Sequence, residues 1–549
     1  MKASRGAQVA AGIVIALLVW LVAYPVLLVM RDAIAGPGGW TLGYVRAFLA
    51  RPNEWQAFWG SLWISGATVA LSALIGVPLA FLFSRFEFPG RRVLGALVAL
   101  PVALPPLVGV VAFLFLYGET GFAAHLYDAI TGSPMAPWRL EGPWAILLVQ
   151  AYSMYVYFYL LTRAALERLE GSAAEAAASL GASRWRTLTR VTLPLLRPAL
   201  TGAALLTFTT ALASFSAPYI FGGGFRVLPT QILATRLNGD YALAMVETVA
   251  LTLPALVALA LSTRGGPDAS ARGGKGAAPA RAIGGRTGVA VSVLGWGLAL
   301  FLLLPHATLV LLSFVPVATW TTQPLPPVYS VANYVTLAHD PTRVLPLVNS
   351  LWMAVVATVA SVLIAIAAGV LVVRRRVRGR GTIETLLAAP WAVPGTVFAL
   401  ALATAFSVHE PWAARMVLVG TVWILPLAYL IRDLPVTSRP VLTGFRQLDP
   451  TLDEAAAALG AGRWTTWRRV ALPLLRPAIA AGAALAFVTA LGDFVTSILL
   501  YTYDTRPMSL EILSSLRDGD IGVAAVFGVV LMLASATVFL LGSERAATR

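Results

Sequence analysis

The chain has 549 residues, 58% of them hydrophobic and only 12% charged, with a mean hydropathy of +0.79. Soluble domains carry about 25% charged residues, so this composition suits a chain solvated by lipid whose backbone hydrogen bonds close inside helices. Cysteine is absent, which excludes disulfides, thiolate metal sites and cysteine nucleophiles, and the net charge of +15 has to be read from its distribution.

Apolar runs of about 20 residues mark transmembrane helices. Twelve are expected, at 9–30, 59–83, 93–117, 144–162, 199–221, 242–263, 288–314, 347–373, 383–407, 415–431, 478–501 and 521–542. The first run is too long for a signal-peptide core and lacks a small-residue cleavage site, so it is expected to stay in the membrane. With the N-terminus in the cytoplasm, the inner segments hold 30 of the 40 Lys and Arg and the outer loops 10. Basic residues are retained on the cytoplasmic side, which places both termini there. The charge is a topology signal, and no nucleic-acid partner is expected.

The third span opens on ALPVALPPLVG (99–109), where Pro101, Pro105 and Pro106 are expected to break the helix near its inner side and free carbonyls that must face protein or a cavity. In the fourth, Tyr152, Tyr155 and Tyr159 fall at i, i+3 and i+7, on one helical face. They suit either a path lining or packing between helices with hydroxyls bonded across. Next comes EAAASLGASRWRTLTRVTLPLLRPA (175–199), then the fifth span with FTTALASF (208–215), Ser214 and Ser216. A Gly-, Ala- and Arg-rich stretch at 264–287 has no apolar periodicity and reads as a flexible cytoplasmic linker able to span roughly 27 Å.

The second half repeats these landmarks in order. AAPWAVPGTVF (388–398), with Pro390 and Pro394, opens the ninth span; EAAAALGAGRWTTWRRVALPLLRPA (454–478) matches the first copy at 19 of 25 positions; FVTALGDF (487–494) carries Asp493 where the first half has Ser214. Two units result, 1–263 and 288–549, with the duplicated loops at 167–198 and 446–477. Six spans per unit make the repeat parallel, unlike the inverted repeats of many secondary transporters. The fold class is an all-α polytopic membrane protein. Asp493 lies about 22 Å along its helix from Pro477, in the outer part of the bilayer; a path role and a structural role at the outer interface both fit.

Each duplicated loop reads as helix, tight turn, helix. In the first copy an Ala-rich helix ends at Gly181, where a left-handed cap is wanted, a second helix runs from Arg184 to Val191, and Pro194 and Pro198 are expected to stop it before the next span. Gly460, Pro473 and Pro477 repeat the punctuation. Small residues Ala176, Ala177 and Ala178 let another protein approach the backbone closely, and Arg184, Arg186 and Arg190 can meet acidic lipid headgroups or an acidic partner. Two copies in one register make this a docking element.

The EAA…G pattern followed by a basic stretch and LP resembles the cytoplasmic loop of permease subunits in binding-protein-dependent ABC importers, and the likeness covers nearly the whole chain. The resemblance implies the type I importer permease fold. By position, Glu175, Ala176, Ala177, Gly181 and Arg184, and again Glu454, Ala455, Ala456, Gly460 and Arg463, would form the coupling loops. It also implies an inner-membrane location, two ATPase subunits on the cytoplasmic side, an extracytoplasmic substrate-binding protein, and no cofactor in this chain, ATP being bound by the partners. The fused two-half form, together with RDLPVTSRPVLTGFRQLDPTLDEAA (432–456), resembles the ferric iron permeases and less closely those for thiamine; phosphonates and polyamines follow.

The only lysines, Lys2 and Lys275, sit in no GxxxxGK[ST] loop, so hydrolysis has to come from a partner and the chain is not itself an enzyme. His125, His306, His339 and His409 are scattered, three in outer loops, and read as surface residues. An ion-coupled secondary transporter would call for inverted repeats and buried acids in several spans, and neither is expected here. A passive channel would leave the docking loops unexplained.

Overall fold

The computed structural model describes residues 4–547 except 37–38, 104, 134–135, 170–175, 178, 264–280, 283–284, 317–319, 321–322, 392, 409–410 and 450. Glu175, Ala178, His409 and most of the linker therefore lie outside the described residues. Among the described residues the regular structure is helical apart from two two-residue ladders, Ala35–Gly36 with Gly39–Trp40 and Phe86–Glu87 with Arg281–Ala282.

Among the described residues ten helices are long and apolar enough to cross a membrane: Arg5–Asp32, Pro52–Arg85, Pro106–Thr131, Gly142–Arg168, Arg184–Leu212, Tyr241–Ala258, Gly285–Ser313, Pro341–Arg374, Arg463–Leu491 and Ile521–Val538. An eleventh is the pair Arg380–Trp391 and Gly395–Ala405, bent by 108°. The expected tenth span at 415–431 is displaced: the helix is Ile424–Gln447. It runs on past residue 431 through Arg432, Asp433, Arg439 and Arg446, charges that a hydropathy reading treats as the end of a span.

The expected proline breaks in the third and ninth spans are present. Arg91–Ala99 gives way to a 3₁₀ turn before Pro106–Tyr117, and Arg380–Ala388 does the same before Gly395–Ala405. After the duplicated loops the expectation fails. Pro194, Pro198, Pro473 and Pro477 do not stop the helices, which run unbroken from Arg184 to Leu212 and from Arg463 to Leu491. A proline removes the donor to residue i−4 and its ring collides with that carbonyl. One π-turn upstream relieves both: Leu193 N–H donates to Leu188 C=O and Leu472 N–H to Trp467 C=O, each immediately before the first proline. The same device precedes Pro25, with Tyr24 N–H donating to Val19 C=O.

The two halves interlock by exchanging their first helices. Arg5–Asp32 packs on the bent pair of the second half, Trp20 Nε1 donating to Trp412 C=O at 3.0 Å and its ring meeting Phe406 edge-on at 5.4 Å. Reciprocally, Gly285–Ser313 packs on Arg91–Tyr117 of the first half, with Ser292 Oγ donating to Pro89 C=O at 3.0 Å.

Within the first half, the second and fourth spans touch backbone to backbone at Gly76. A Cβ there would lie 2.4 Å from Tyr155 O and 2.7 Å from Phe158 Cβ, whereas one at Gly66 on the same helix meets nothing within 4 Å. Gly76→Ala is expected to lower stability by about 1–3 kcal/mol through overpacking, and Gly66→Ala to leave it unchanged or raise it. Thermal melts of the two detergent-solubilised variants check this; equal midpoints would remove the close contact.

Candidate functional site

The turns of the two duplicated loops are the best-defined duplicated feature. Thr451–Ala458 forms the short helix of the second copy, and Asp449 Oδ1 accepts its Thr451 N–H at 2.9 Å. The amide and hydroxyl of Thr451 hold the Asp449 carboxyl below its ordinary pKa. Gly460 follows at φ +77°, and Ala461 N–H reaches back to Ala456 C=O at 2.9 Å. This six-to-one bond closes a Schellman turn, and positive φ is what favours glycine there. The first copy repeats it with Gly181 at φ +80° and Ala182 N–H donating to Ala177 C=O at 3.0 Å.

Outward from each turn stand the same side chains. Leu180 and Leu459 are 89% and 88% exposed, and Trp185 and Trp464 are both 72% exposed. Arg184, Arg463 and Glu454 are exposed beside them, as are Ala176 and Ala455, whereas Ala456 is buried. A Leu and a Trp left in water twice, in the same places, mark an uncovered contact surface. These two pairs were missed in sequence, although both fall in the matched 25-residue stretch. Asp453 pairs with Arg374 at the end of the eighth span, tying the short helix of the second copy to the bundle.

Each duplicated turn leads into one long helix, and both helices break at matched points. Arg184–Leu212 ends before Ser214 and Phe215; Arg463–Leu491 ends before Asp493 and Phe494. Phe215 and Phe494 hold equivalent places in the repeat and meet with ring centroids 5.8 Å apart, at the boundary between the halves. Tyr219 stacks on Phe215 at 5.1 Å and lies 6.3 Å from Phe494. Ser214 is half-buried and Ser216 buried in this break.

Asp493 is buried and tied down on every side. Its carboxylate pairs with Arg432 and accepts Thr496 N–H at 2.8 Å and Thr496 Oγ1–H at 3.1 Å. Its carbonyl accepts Ser497 at 2.7 Å and Ser509 at 2.8 Å. Asp433, beside Arg432, is fully buried. The sequence reading missed Arg432 and Asp433 as partners because it placed them in a cytoplasmic segment. It also expected no buried acids in several spans. The structure corrects this: Glu54, Glu247, Asp433 and Asp493 are all buried within or at the ends of helices.

The three tyrosines are engaged between helices. Tyr152 donates to Leu302 C=O of the other half at 2.6 Å, Tyr155 to Val98 C=O at 2.6 Å, and Tyr159 to Gly95 C=O at 3.2 Å while accepting from Arg163 at 2.9 Å. Their hydroxyls bind the backbone of the third and seventh spans. Of the histidines, His339 is exposed and His125 packs on Trp320, whereas His306 is buried inside the seventh span, contrary to the surface reading. Among the described residues no group of three or more His, Cys, Asp or Glu is placed to hold a metal ion.

The described structure is thus two interlocked helical halves, each with an outward turn joined by one helix to a shared aromatic contact. The family described as "binding-protein-dependent transport system inner membrane component" matches twice, at residues 72–265 and 360–545, and the chain belongs to that family. A "probable ABC transporter permease protein" of Sinorhizobium fredii (strain NBRC 101917 / NGR234) is 30% identical over 532 residues, 95% of this chain and 93% of its own. A ferric transport system permease protein of Actinobacillus pleuropneumoniae is 28% identical over 488 residues, 87% of this chain and 69% of its own. A molybdenum transport system permease protein of Escherichia coli (strain K12) is 31% identical over 216 residues; these are 92% of its own length but 38% of this chain, so it corresponds to about one half.

Proposed function

We propose that the chain forms the membrane path of an ATP-driven importer for ferric iron. An extracytoplasmic binding protein delivers the substrate to the outer mouth, and two ATPase subunits dock on the turns at Gly181 and Gly460. The observation that carries the docking is the duplicated Schellman turn with its exposed Leu and Trp. Ferric iron rests on the likeness to a ferric permease along most of both chains; thiamine, phosphonate and polyamine are the alternatives. In this reading the termini and both turns face the cytoplasm, which the distribution of Lys and Arg favours.

In this reading each docking turn and the aromatic contact are the two ends of one stiff lever. Arg463–Leu491 has 29 residues, about 43 Å at 1.5 Å per residue. ATP-driven closure of the partner subunits moves the turns together, the levers swing, and the Phe215–Phe494 contact at their far ends parts toward the outside. ATP binds the two global states with different affinity and so shifts their populations. The chain itself makes and breaks no covalent bond.

The test is purification of the tagged protein from its own membranes, identification of the bound subunits by mass spectrometry, and reconstitution with them in vesicles. ATP-dependent, vanadate-sensitive uptake of ferric iron is the expected result. Uptake that ignores ATP and collapses with an ionophore would replace this reading with a secondary transporter, for which the buried acids speak. ATP-dependent uptake of molybdate without iron would overturn the substrate alone.

A further inference from the structure

Beyond the aromatic contact, each half carries a ten-residue helix, Leu228–Leu237 in the first and Met508–Arg517 in the second. The two are framed alike. Gly239 and Gly519 follow at φ +82° and +76°. Asp240 N–H returns to Thr235 C=O at 3.2 Å and Asp520 N–H to Ser515 C=O at 2.8 Å. The aspartates are anchored from the start of the second span of each half, Asp240 by Arg51 at 3.2 Å and Asp520 by Arg343 at 3.0 Å. Each helix end is thus fixed to its own half.

From each fixed end an arginine crosses to the other half. Arg236 Nη1 donates to Leu499 C=O at 2.9 Å, in the short helix Val495–Leu500 that follows Phe494. That carbonyl lies in a last helical turn, where backbone acceptors lack an intrahelical partner and a cation is favoured. Arg517 Nη2 donates to the Tyr219 hydroxyl, in the short helix Ser216–Phe221 that follows Phe215, with its guanidinium 5.8 Å from the ring centroid. Tyr219 is the ring stacked over Phe215. The two arginines are not equivalent in the repeat: Arg236 stands three residues before its glycine and Arg517 two. The same connection is built twice from different positions, so the duplication alone does not account for it.

We propose that Arg236 and Arg517 are reciprocal latches that hold the outer end of the two halves together, setting how readily the path opens outward. Each latch ties the rigid end of one half to the segment just beyond the aromatic residue of the other, so the Phe215–Phe494 contact cannot part without breaking both. The gating role rests on the reading of that contact as the closure of the path. The latching itself does not, because it concerns only the separation of the halves.

The chain lacks cysteine, so two labels can be placed with no native thiol to compete for them. Asn238→Cys and Asp518→Cys, both exposed, carry nitroxide labels, and pulsed dipolar spectroscopy of the full chain in lipid nanodiscs reads the distance between the halves. With both latches in place a single short distance is expected. Arg236→Gln or Arg517→Gln is expected to raise a longer-distance population about tenfold each, and the double variant more than either. Tyr219→Phe, which keeps the ring and removes only the acceptor, is expected to reproduce the Arg517→Gln effect, and Arg517→Lys to restore part of the short distance. The persisting short-distance component in the single variants reports that they fold. Identical distance distributions in both single Gln variants and in Tyr219→Phe would overturn the latch. No ATPase, binding protein or substrate is used, so failure of iron uptake leaves this outcome unaffected.

Discussion

Valine at Gly181 or Gly460 is expected to reduce ATP-coupled transport more than tenfold while leaving the protein inserted and folded. Both glycines sit at positive φ, +80° and +77°, a region that costs an L-residue roughly 1–2 kcal/mol and a β-branched one more. A Cβ at either position meets nothing within 4 Å, so the bundle has no internal reason to reject the side chain. What changes is the shape of the turn and of the surface beside Leu180 and Trp185, or Leu459 and Trp464. Strain confined to an exposed turn is small against the stability of the packed helical bundle, but it falls on the surface proposed to receive a partner. Uptake into vesicles, ATPase stimulation and the melting temperature of each variant separate the two effects. Alanine, which tolerates the turn better and adds less bulk, is expected to fall between glycine and valine. Full transport by both valine variants would end the docking role.

The parts of this molecule that could be read in the sequence are those set by local chemistry. Apolar runs located most spans, and the duplicated stretch gave the two turns together with the glycines that cap them. The prolines at 101, 105 and 106, and at 390 and 394, marked real breaks. Pro194 and Pro473 did not, because a π-turn one step upstream removes the clash that makes proline a breaker; hydrophobic periodicity carries no sign of that adjustment. The tenth span was misplaced because Arg432 and Asp433 look like an exit from the membrane. Only the tertiary structure supplies Asp493 as the partner that lets a guanidinium stay inside. The exchange of first helices was equally hidden: a parallel repeat shows that two halves are alike, not which helix of one lies against the other. Tyr152 illustrates the consequence, since its acceptor, Leu302 C=O, belongs to the opposite half.

The structure also separates the two ends of each lever chemically. At the duplicated turns the residues are nearly identical and most are exposed, as expected if both copies meet the same kind of partner. At the breaks they diverge. Asp493 stands where the first half has Ser214, and its ion pair with Arg432 is present only in the second half. The scaffold is symmetric where force would enter and asymmetric where the path would close.

Removing Arg432 is expected to destabilise the second half more than removing Asp493. The pair joins the Ile424–Gln447 helix to the break after Leu491, with the Asp493 side chain 3% exposed and that of Arg432 29%. Breaking a buried pair on one side leaves an uncompensated charge and costs about 3–5 kcal/mol, whereas replacing both partners with apolar groups is often close to neutral. The neighbouring Asp433, fully buried, makes the two single variants unequal. In Asp493→Leu the guanidinium still has one carboxylate next to it in sequence. In Arg432→Met two buried carboxylates remain with their nearest cation gone. Arg432→Met should therefore melt lowest, Asp493→Leu higher, and the double variant Arg432→Met/Asp493→Leu above Arg432→Met alone. Thermal melts of the four proteins in one detergent complete a double-mutant cycle. Strictly additive losses would mean that the two side chains do not depend on each other, and Asp493 would then be free for a role in the path.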